Sequence, residues 1–460
     1  MSSRFVLIKH WEVTMSQKTM VAIVKNDTPP DKGRILAMVR EALNLVGGVE
    51  AYIKKGDVVA IKINIFAPLP PPVSVDRRVA AALVRVAKEA GARRVIVAEG
   101  VSVGTKMSRG VTTMDCFKLL GVQSAVEAEG GEVLCLEDDE RVSMDVPGGI
   151  ALHRIDCPKT ILDADVFIEL PCLKTHGLTL VTLGIKNLQG ILTDEQKYYA
   201  HRDDLDQKLV DIHKVRKADL TLIDGLLGME GEGAGERGRP VPMNILLASP
   251  DVVAVDAVAS ACMGIEDVLD VPTTRIAQHD GLGTADLAQI DVRGASIEKV
   301  ERKFALPYNW FKPQDRYVLG LHPNVDIYIG GACKWCWMMS GAIAGMLALF
   351  APRRFSIIAG VDPKVPPALR TGLDHTIILG DCACGATGDV KEIRNAMVLS
   401  SKGAMLLGCP PYRPALVMLE EYMIRIGLVT AEMLRMREEQ AAKRFYEYYQ
   451  GLDPTWAPGE

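Results

Sequence analysis

The chain has 460 residues, with 53 basic against 58 acidic side chains and a formal net charge of −5. That length exceeds one compact core and predicts two or three domains. The charge balance and the 5% aromatic content exclude the basic, aromatic-rich surface of a nucleic-acid binder and offer no patch for an anionic membrane.

Residues 1–18 lack the apolar core and small-residue cleavage site of a signal peptide, and read as an extension ahead of a second start at Met15. Without a targeting signal the expected compartment is the cytoplasm. From Thr19 the pattern alternates. TMVAIVKN reads as a strand, Asp31 to Leu45 has helical period, and DVVAIKINI, Asp57 to Ile65, reads as a buried strand ending in Lys62 and Asn64. A proline-rich loop at Pro68–Pro72 leads to a helix from Val75 to Ala90, and ARRVIVAEG closes the unit at Gly100. Such alternation predicts an α/β fold with a parallel or mixed sheet and crossover helices. The Gly/Ser/Thr-rich stretch Val101–Thr113, with Lys106 and Arg109, is expected to be a ligand-presenting loop.

A further strand, DADVFIELP, precedes PCLKTHGLTLVTLGIKNLQGIL, Pro171 to Leu192. This run sets Lys174, Thr175, His176, Lys186 and Asn187 among apolar residues and glycines. Cations in such a setting suit a carboxylate or phosphate, and histidine suits proton transfer or metal binding. Next, DLTLIDGLLGMEGEGAGERG reads as a strand ending at Asp224–Gly225, then a glycine-rich loop holding Glu230. The loop lacks the lysine and hydroxyl of a P-loop and is a weak nucleotide signal. For Asp224 and Glu230, turn chemistry competes closely with a ligand role. NILLASPDVVAVDAVASACMG reads as a strand and an apolar helix capped by Asp251. The rhythm fades from about Ile290 to Asn324, where a domain junction is expected.

Ten cysteines are present, five of them late and clustered. Three short apolar runs each end in glycine and cysteine: VDIYIGGACKWC, HTIILGDCAC and GAMLLGCPP. Sites in open α/β sheets lie beyond the carboxyl ends of parallel strands. Strands set side by side would gather Cys333, Cys336, Cys382 and Cys409 at one edge, with Cys384 as an alternative to Cys382. Four thiolates there read as a 4Fe–4S site, and zinc is the main competitor. The uncharged stretch Trp335–Pro352 is short for a membrane span and reads as a buried helix. Ala415 to Tyr449 reads as two amphipathic helices, and Leu452 to Glu460 as a loose tail. The domain expectation is therefore an extension at 1–18, an α/β substrate-binding domain at 19–295, and a smaller α/β iron–sulfur domain at 325–450.

VVAIKINI, LPCLKTHGLTLVTLGIKNLQGIL, DGLLGMEGEGAGERGRPV and SPDVVAVDAVASACMGI, in that order between Val21 and Gly264, resemble the family called domain of unknown function 362. That resemblance implies association with iron–sulfur domains and anaerobic metabolism. More loosely the region is similar to nickel-dependent lactate racemases, an analogy at fold level. LGCPPYRPALVML resembles the GCPPRPE motif of the small iron–sulfur subunit of complex I and nickel–iron hydrogenases. The resemblance implies that Cys409 ligates a 4Fe–4S cluster, with Tyr412 an inserted residue.

The leading reading is a cytoplasmic iron–sulfur oxidoreductase. His176, Lys174 and Lys186 are its candidate catalytic residues. Lys62, Asn64, Asn187, Asp224 and Glu230 are its candidate ligands for a small anionic substrate. Electrons would come from a redox partner protein, since no flavin or nicotinamide fingerprint is present. Self-association into a homo-oligomer stays open. The alternatives are a non-redox isomerase or dehydratase using the cluster as Lewis acid or as structure, and an electron or cluster carrier without catalysis.

Overall fold

The computed structural model describes residues 18–307 except 201–203, 232 and 236–237. Beyond these it describes residues 325–331, 336, 339–341, 343, 355–361, 376–384, 397–400, 403–406 and 422–457. The protein is α/β, built on one large mixed sheet and one smaller sheet.

The large sheet draws on β1 (Thr19–Lys25), β2 (Val58–Ile63), β3 (Arg94–Glu99), β4 (Glu132–Cys135), β7 (Val166–Leu170), β8 (Cys172–His176), β9 (Leu180–Thr182), β10 (Leu220–Gly231), β11 (Gly238–Ser249) and β12 (Ile290–Gly294). A separate ribbon pairs β5 (Arg141–Asp145) with β6 (Arg154–Pro158). The main path runs β12-β1-β11-β10-β7-β2-β3-β4, with β8 paired to β10 and β9. From β10 to β4 the neighbours are parallel; β11 is antiparallel to both β10 and β1. Near-continuous apolar runs such as VVAIKI and RVIVAE form these strands because both sheet faces are covered. Val21, Ile23, Ala60 and Ala98 belong to one buried cluster, and Ala22, Val24, Val59, Ile61 and Val97 to the other. The helices Lys32–Leu45 and Arg77–Glu89 cover the second face, with Asp31 and Asp76 as their N-caps. Asp251 caps the helix Val252–Cys262 by accepting from two amides, as its position in the sequence predicts.

The smaller sheet contains β13 (Val325–Ile329), β14 (Phe355–Ala359), β15 (Thr376–Leu379), β16 (Met397–Ser400) and β17 (Gly403–Leu406). Its order is β13-β14-β15-β17-β16, parallel throughout except for β16. The strands leading to the three cysteine segments are thus parallel, although β14, an apolar run that ends without cysteine, separates β13 from β15. Along Trp335–Pro352, the described residues 336, 339–341 and 343 are helical, and Cys336, Met339, Ser340 and Ile343 are buried.

Four expectations change. Val101–Thr113 is mostly the helix Val103–Arg109, capped by the Ser102 side chain. Lys106 on it pairs with Glu137 and Asp194 at 3.0 and 3.1 Å. The strand expected to stop at Asp224 continues to Gly231 across a bulge, because β11 pairs with it along its whole length. Ile290–Gly294, expected to open a junction, is an edge strand paired to β1. The tail is not loose over the described residues 453–457. Trp456 is buried and its ring lies 5.5 Å from Tyr446 and 5.2 Å from Tyr449. From Ala415 to Tyr449 the structure describes a helix over Ala431–Leu452, preceded by helical residues 422–425, and residues 415–421 lie outside the described set.

Candidate functional site

The carboxyl ends of β2, β3 and β7 point toward a group of lysines. Lys62 is fully buried. Its Nζ lies 2.6 Å from Glu99 Oε2 and donates to the Ile63 carbonyl at 2.6 Å and to Asn187 Oδ1 at 3.1 Å. Glu99 also accepts from the amides of Ile65 and Gly100. Asn187 Nδ2 donates back to the Lys62 carbonyl and to Glu169 Oε2. Since Asn187 Oδ1 must accept from Lys62, its amide orientation is fixed, and Asn64 Nδ2 approaches that same oxygen at 3.4 Å. Gly190 seals the pair from above. A Cβ there would meet Lys62 Cε at 2.5 Å and Glu99 Oε2 at 2.7 Å.

Lys174 is also fully buried. Its Nζ donates to the Val73 carbonyl at 2.7 Å and lies 5.9 Å from the centroid of the Phe66 ring. Burial lowers its ammonium below the ordinary lysine range, and Lys62 adds to this while Cys172 and Glu99 oppose it. Phe66 and Val73 flank the proline-rich loop on either side, so that segment packs over Lys174 of β8. His176, two residues on from Lys174 along β8, is partly exposed, and its Nδ1 accepts from the Leu178 amide at 3.0 Å. A ring nitrogen that accepts carries no proton, so in the neutral ring the proton sits on Nε2.

Lys186 differs from the other lysines. It is partly exposed and has no hydrogen-bond or ion-pair partner among the described residues. Burial lowers its ammonium to about 7. Lys174 and Lys62 push in the same direction, and Glu99 and Asp206 resist. The mutual influence of Lys62, Lys174 and Lys186 puts them in one field around Glu99. Lys62 and Lys174 are fully buried, and Lys186 and His176 are partly exposed.

Asp224 and Glu230 hold backbone instead. Asp224 is buried and accepts from the amides of Asp76 and Leu226 at 2.8 and 3.1 Å. Burial, with Asp76 adding, raises its carboxyl to about 7. Glu230 accepts from the Ala305 amide and pairs with Arg239 at 3.1 Å. The glycine-rich turn packs on β8: a Cβ at Gly233 would strike the Thr175 carbonyl. Its glycines therefore permit close backbone approach.

Sequence reasoning missed Glu99, Glu169, Asp256 and His213, all buried around the lysines. A signal was present for three of them. Each of VIVAE, VFIEL and VVAVDAVAS places one carboxylate in an otherwise apolar buried element, which calls for a partner.

In the smaller sheet, Cys336 is buried and Cys382 exposed, neither in a disulfide. The side chain of Cys384 and all of Cys333 and Cys409 lie outside the described residues. No group of metal-binding side chains occurs among the described residues.

The molecule is thus an α/β protein with a cluster of buried and partly buried lysines near the carboxyl ends of strands in a mixed sheet. Residues 59–261 match the family described as Domain of unknown function (DUF362). The chain is 30% identical over 264 residues to the Thylakoid-associated protein sll1697 of Synechocystis sp., covering 55% of this chain and 77% of that protein. The chain belongs to the DUF362 family. Among solved structures it is similar to the lactate racemase apoprotein from Thermoanaerobacterium thermosaccharolyticum, at 15% identity and a TM-score of 0.33, over 51% of this chain and 55% of that one. A Thermotoga maritima protein matches at 12% identity and a TM-score of 0.32, over 84% of this chain and 90% of its own. Scores this low carry no functional argument. No helix among the described residues is long and apolar enough to cross a membrane.

Proposed function

We propose that the protein is an iron–sulfur oxidoreductase that binds a small anion at Lys186 and His176 and holds a 4Fe–4S cluster on Cys333, Cys336, Cys382 and Cys409. The observation that carries the anion site is Lys186. A cation drawn partly out of water, in the field of two other lysines and without a hydrogen-bond or ion-pair partner among the described residues, favours a bound anion. His176, whose Nδ1 accepts from the Leu178 amide so that Nε2 carries the hydrogen of the neutral ring, can hold or move a proton at the bound anion.

The register of the smaller sheet supports the cluster. Ile329, Ala359, Leu379 and Leu406 lie in one row across parallel strands. In sequence, Cys333 follows that row by four residues, Cys382 by three and Cys409 by three. The donor set is all thiolate, which suits iron–sulfur ligation. When bound, the cluster would supply one-electron transfer. Thiols kept reduced for ligation fit a cytoplasmic setting, with a separate protein as electron donor.

Anaerobic isolation followed by iron, sulfide and zinc analysis tests the cluster. About four irons per chain are expected for a cysteine-ligated cubane, and a colourless protein with stoichiometric zinc overturns it. His176→Ala should abolish binding of small carboxylates and leave the cluster absorption unchanged. Retained binding overturns the anion site as drawn.

A further inference from the structure

The short helix Gly184–Asn187, which presents Lys186, is held from beneath by three buried side chains on three different elements. Asp256, from the helix Val252–Cys262, accepts from the amides of Gly184 and Ile185 at 2.8 and 2.9 Å. His213, from the helix Leu205–Val215, places Nε2 3.1 Å from the Ile185 carbonyl. Glu169, from β7, accepts from Asn187 Nδ2 at 3.3 Å. The residues flanking Lys186 on both sides are thereby fixed.

A carbonyl oxygen can only accept, so His213 Nε2 carries the hydrogen and, in the neutral ring, Nδ1 is a bare lone pair. That Nδ1 faces Glu169 Oε1 at 3.8 Å. Neither atom has a hydrogen-bond partner among the described residues, and both side chains are fully buried. Two unpartnered acceptors facing each other away from water are unfavourable, and one proton between them removes the conflict.

We propose that Glu169 and His213 share one proton as a net-neutral carboxylic acid–imidazole pair, and that this pair positions Lys186 and Asn187. The proton resides on Glu169 Oε1 and is donated to His213 Nδ1. No heavy-atom bond changes and no charge is created. A shift of about 1 Å brings the two atoms to hydrogen-bond distance. Burial favours the neutral forms. It raises the Glu169 carboxyl well above its ordinary value, with Asp256 adding and Lys62 and Asn187 opposing. It lowers His213 to about 4, with the Ile185 contact opposing and Lys217 adding. An ion pair in the same place would require two charges to leave water. With Glu169 neutral, Glu99 and Asp206 are the carboxylates that act on Lys186, and the lysine cluster keeps a positive balance for an anion. The functional meaning of the pair rests on reading Lys186 as the anion site.

The test compares full-length wild type, Glu169→Gln and Glu169→Leu. Glutamine is neutral and can reproduce both contacts, with its NH2 toward His213 and its oxygen toward Asn187. At pH 7 the infrared difference between wild type and Glu169→Gln should contain a protonated-carboxyl band belonging to Glu169. Calorimetric titration with acetate and with inorganic phosphate should find Glu169→Gln within about threefold of wild type, and Glu169→Leu at least about tenfold weaker. An absent carboxyl band means Glu169 is ionised and overturns the neutral pair. A pH midpoint of binding that moves down in Glu169→Gln does the same, because a negative charge has then been removed. Unchanged affinity in a merely less heat-stable Glu169→Leu overturns the positioning role. If wild type binds neither anion, the anion-site reading falls, and the band still decides the pair.

Discussion

Anion affinity should fall as pH rises above neutrality, and Lys186 should be the cause. In the free protein its ammonium is lowered to about 7 from the ordinary 10.5, first by burial and then by Lys174 and Lys62. An anion seated against it favours the charged form and moves the value back up. Below pH 7 the free protein already carries the proton, so affinity is flat. Between 7 and the raised value in the complex, each binding event must take up a proton. Affinity then approaches a fall of about tenfold per pH unit, or about fiftyfold from pH 7 to 9. Calorimetry in two buffers of different protonation enthalpy counts the uptake directly, and about 0.9 proton per site is expected at pH 8. Lys186→Arg stays charged and should bind without the pH dependence. Lys186→Ala should lose about 1–3 kcal/mol, the range for a charge-assisted hydrogen bond, together with the uptake. An affinity for acetate or phosphate in wild type that is constant from pH 6 to 9 would refute the reasoning.

Ligand choice in the smaller sheet separates two cysteines. Cys382 follows Gly380 by the spacing that separates Cys333 from Gly331, so Cys382→Ser should lose the cluster absorption and Cys384→Ser should keep most of it, measured on anaerobic protein. The reverse result assigns the ligand to Cys384. In the lysine cluster, Gly190→Ala would push a methyl against Lys62 Cε and Glu99 Oε2. Thermal or urea unfolding should show a loss of about 1–3 kcal/mol, as overpacking of a close-packed site does, and an unchanged midpoint would mean the backbone yields there.

Much of the large sheet was legible because apolar strands alternate with amphipathic helices from Thr19 onward, and alternation is a local signal. The pairing of the two 12-residue strands β10 and β11 was not legible. Its glycines read as a loop, yet they sit there because β8 and its neighbours approach closely, which is a tertiary fact. The lysines were legible as charges out of place in apolar runs. Their division of labour was not. Lys62 is committed to Glu99, 37 residues away in sequence, and Lys174 to a carbonyl beside the proline-rich loop. Only three-dimensional packing leaves Lys186 as the member of the three without a hydrogen-bond or ion-pair partner among the described residues. The helix Val103–Arg109 was misread because Gly, Ser and Thr weigh toward loops, while the Ser102 cap and the Lys106 pairs with Glu137 and Asp194 outweigh them.

The C-terminal helix packs on the proline-rich segment of the larger sheet. It follows the smaller sheet in sequence, yet it packs on the proline-rich loop, with Phe445 buried beside Ala67, Leu69 and Val73. Tyr446 donates to the Pro68 carbonyl at 3.2 Å, and Tyr449 donates to Asp76 Oδ1 at 2.9 Å. Arg78 donates to the Leu452 carbonyl at 2.7 Å, and Arg77 pairs with Asp453 at 3.0 Å. The segment so held supplies the Val73 carbonyl that Lys174 requires. Residues 59–261, the part that matches the family, therefore do not account for all the packing around Lys174 by themselves. β1 and β12, which extend the sheet beyond β11, precede and follow that region, and the helix that fastens the loop over Lys174 comes from the far end of the chain. The segment that follows the smaller sheet in sequence thus packs on the loop over Lys174 in the larger one, which ties the C-terminal part of the chain to the large sheet.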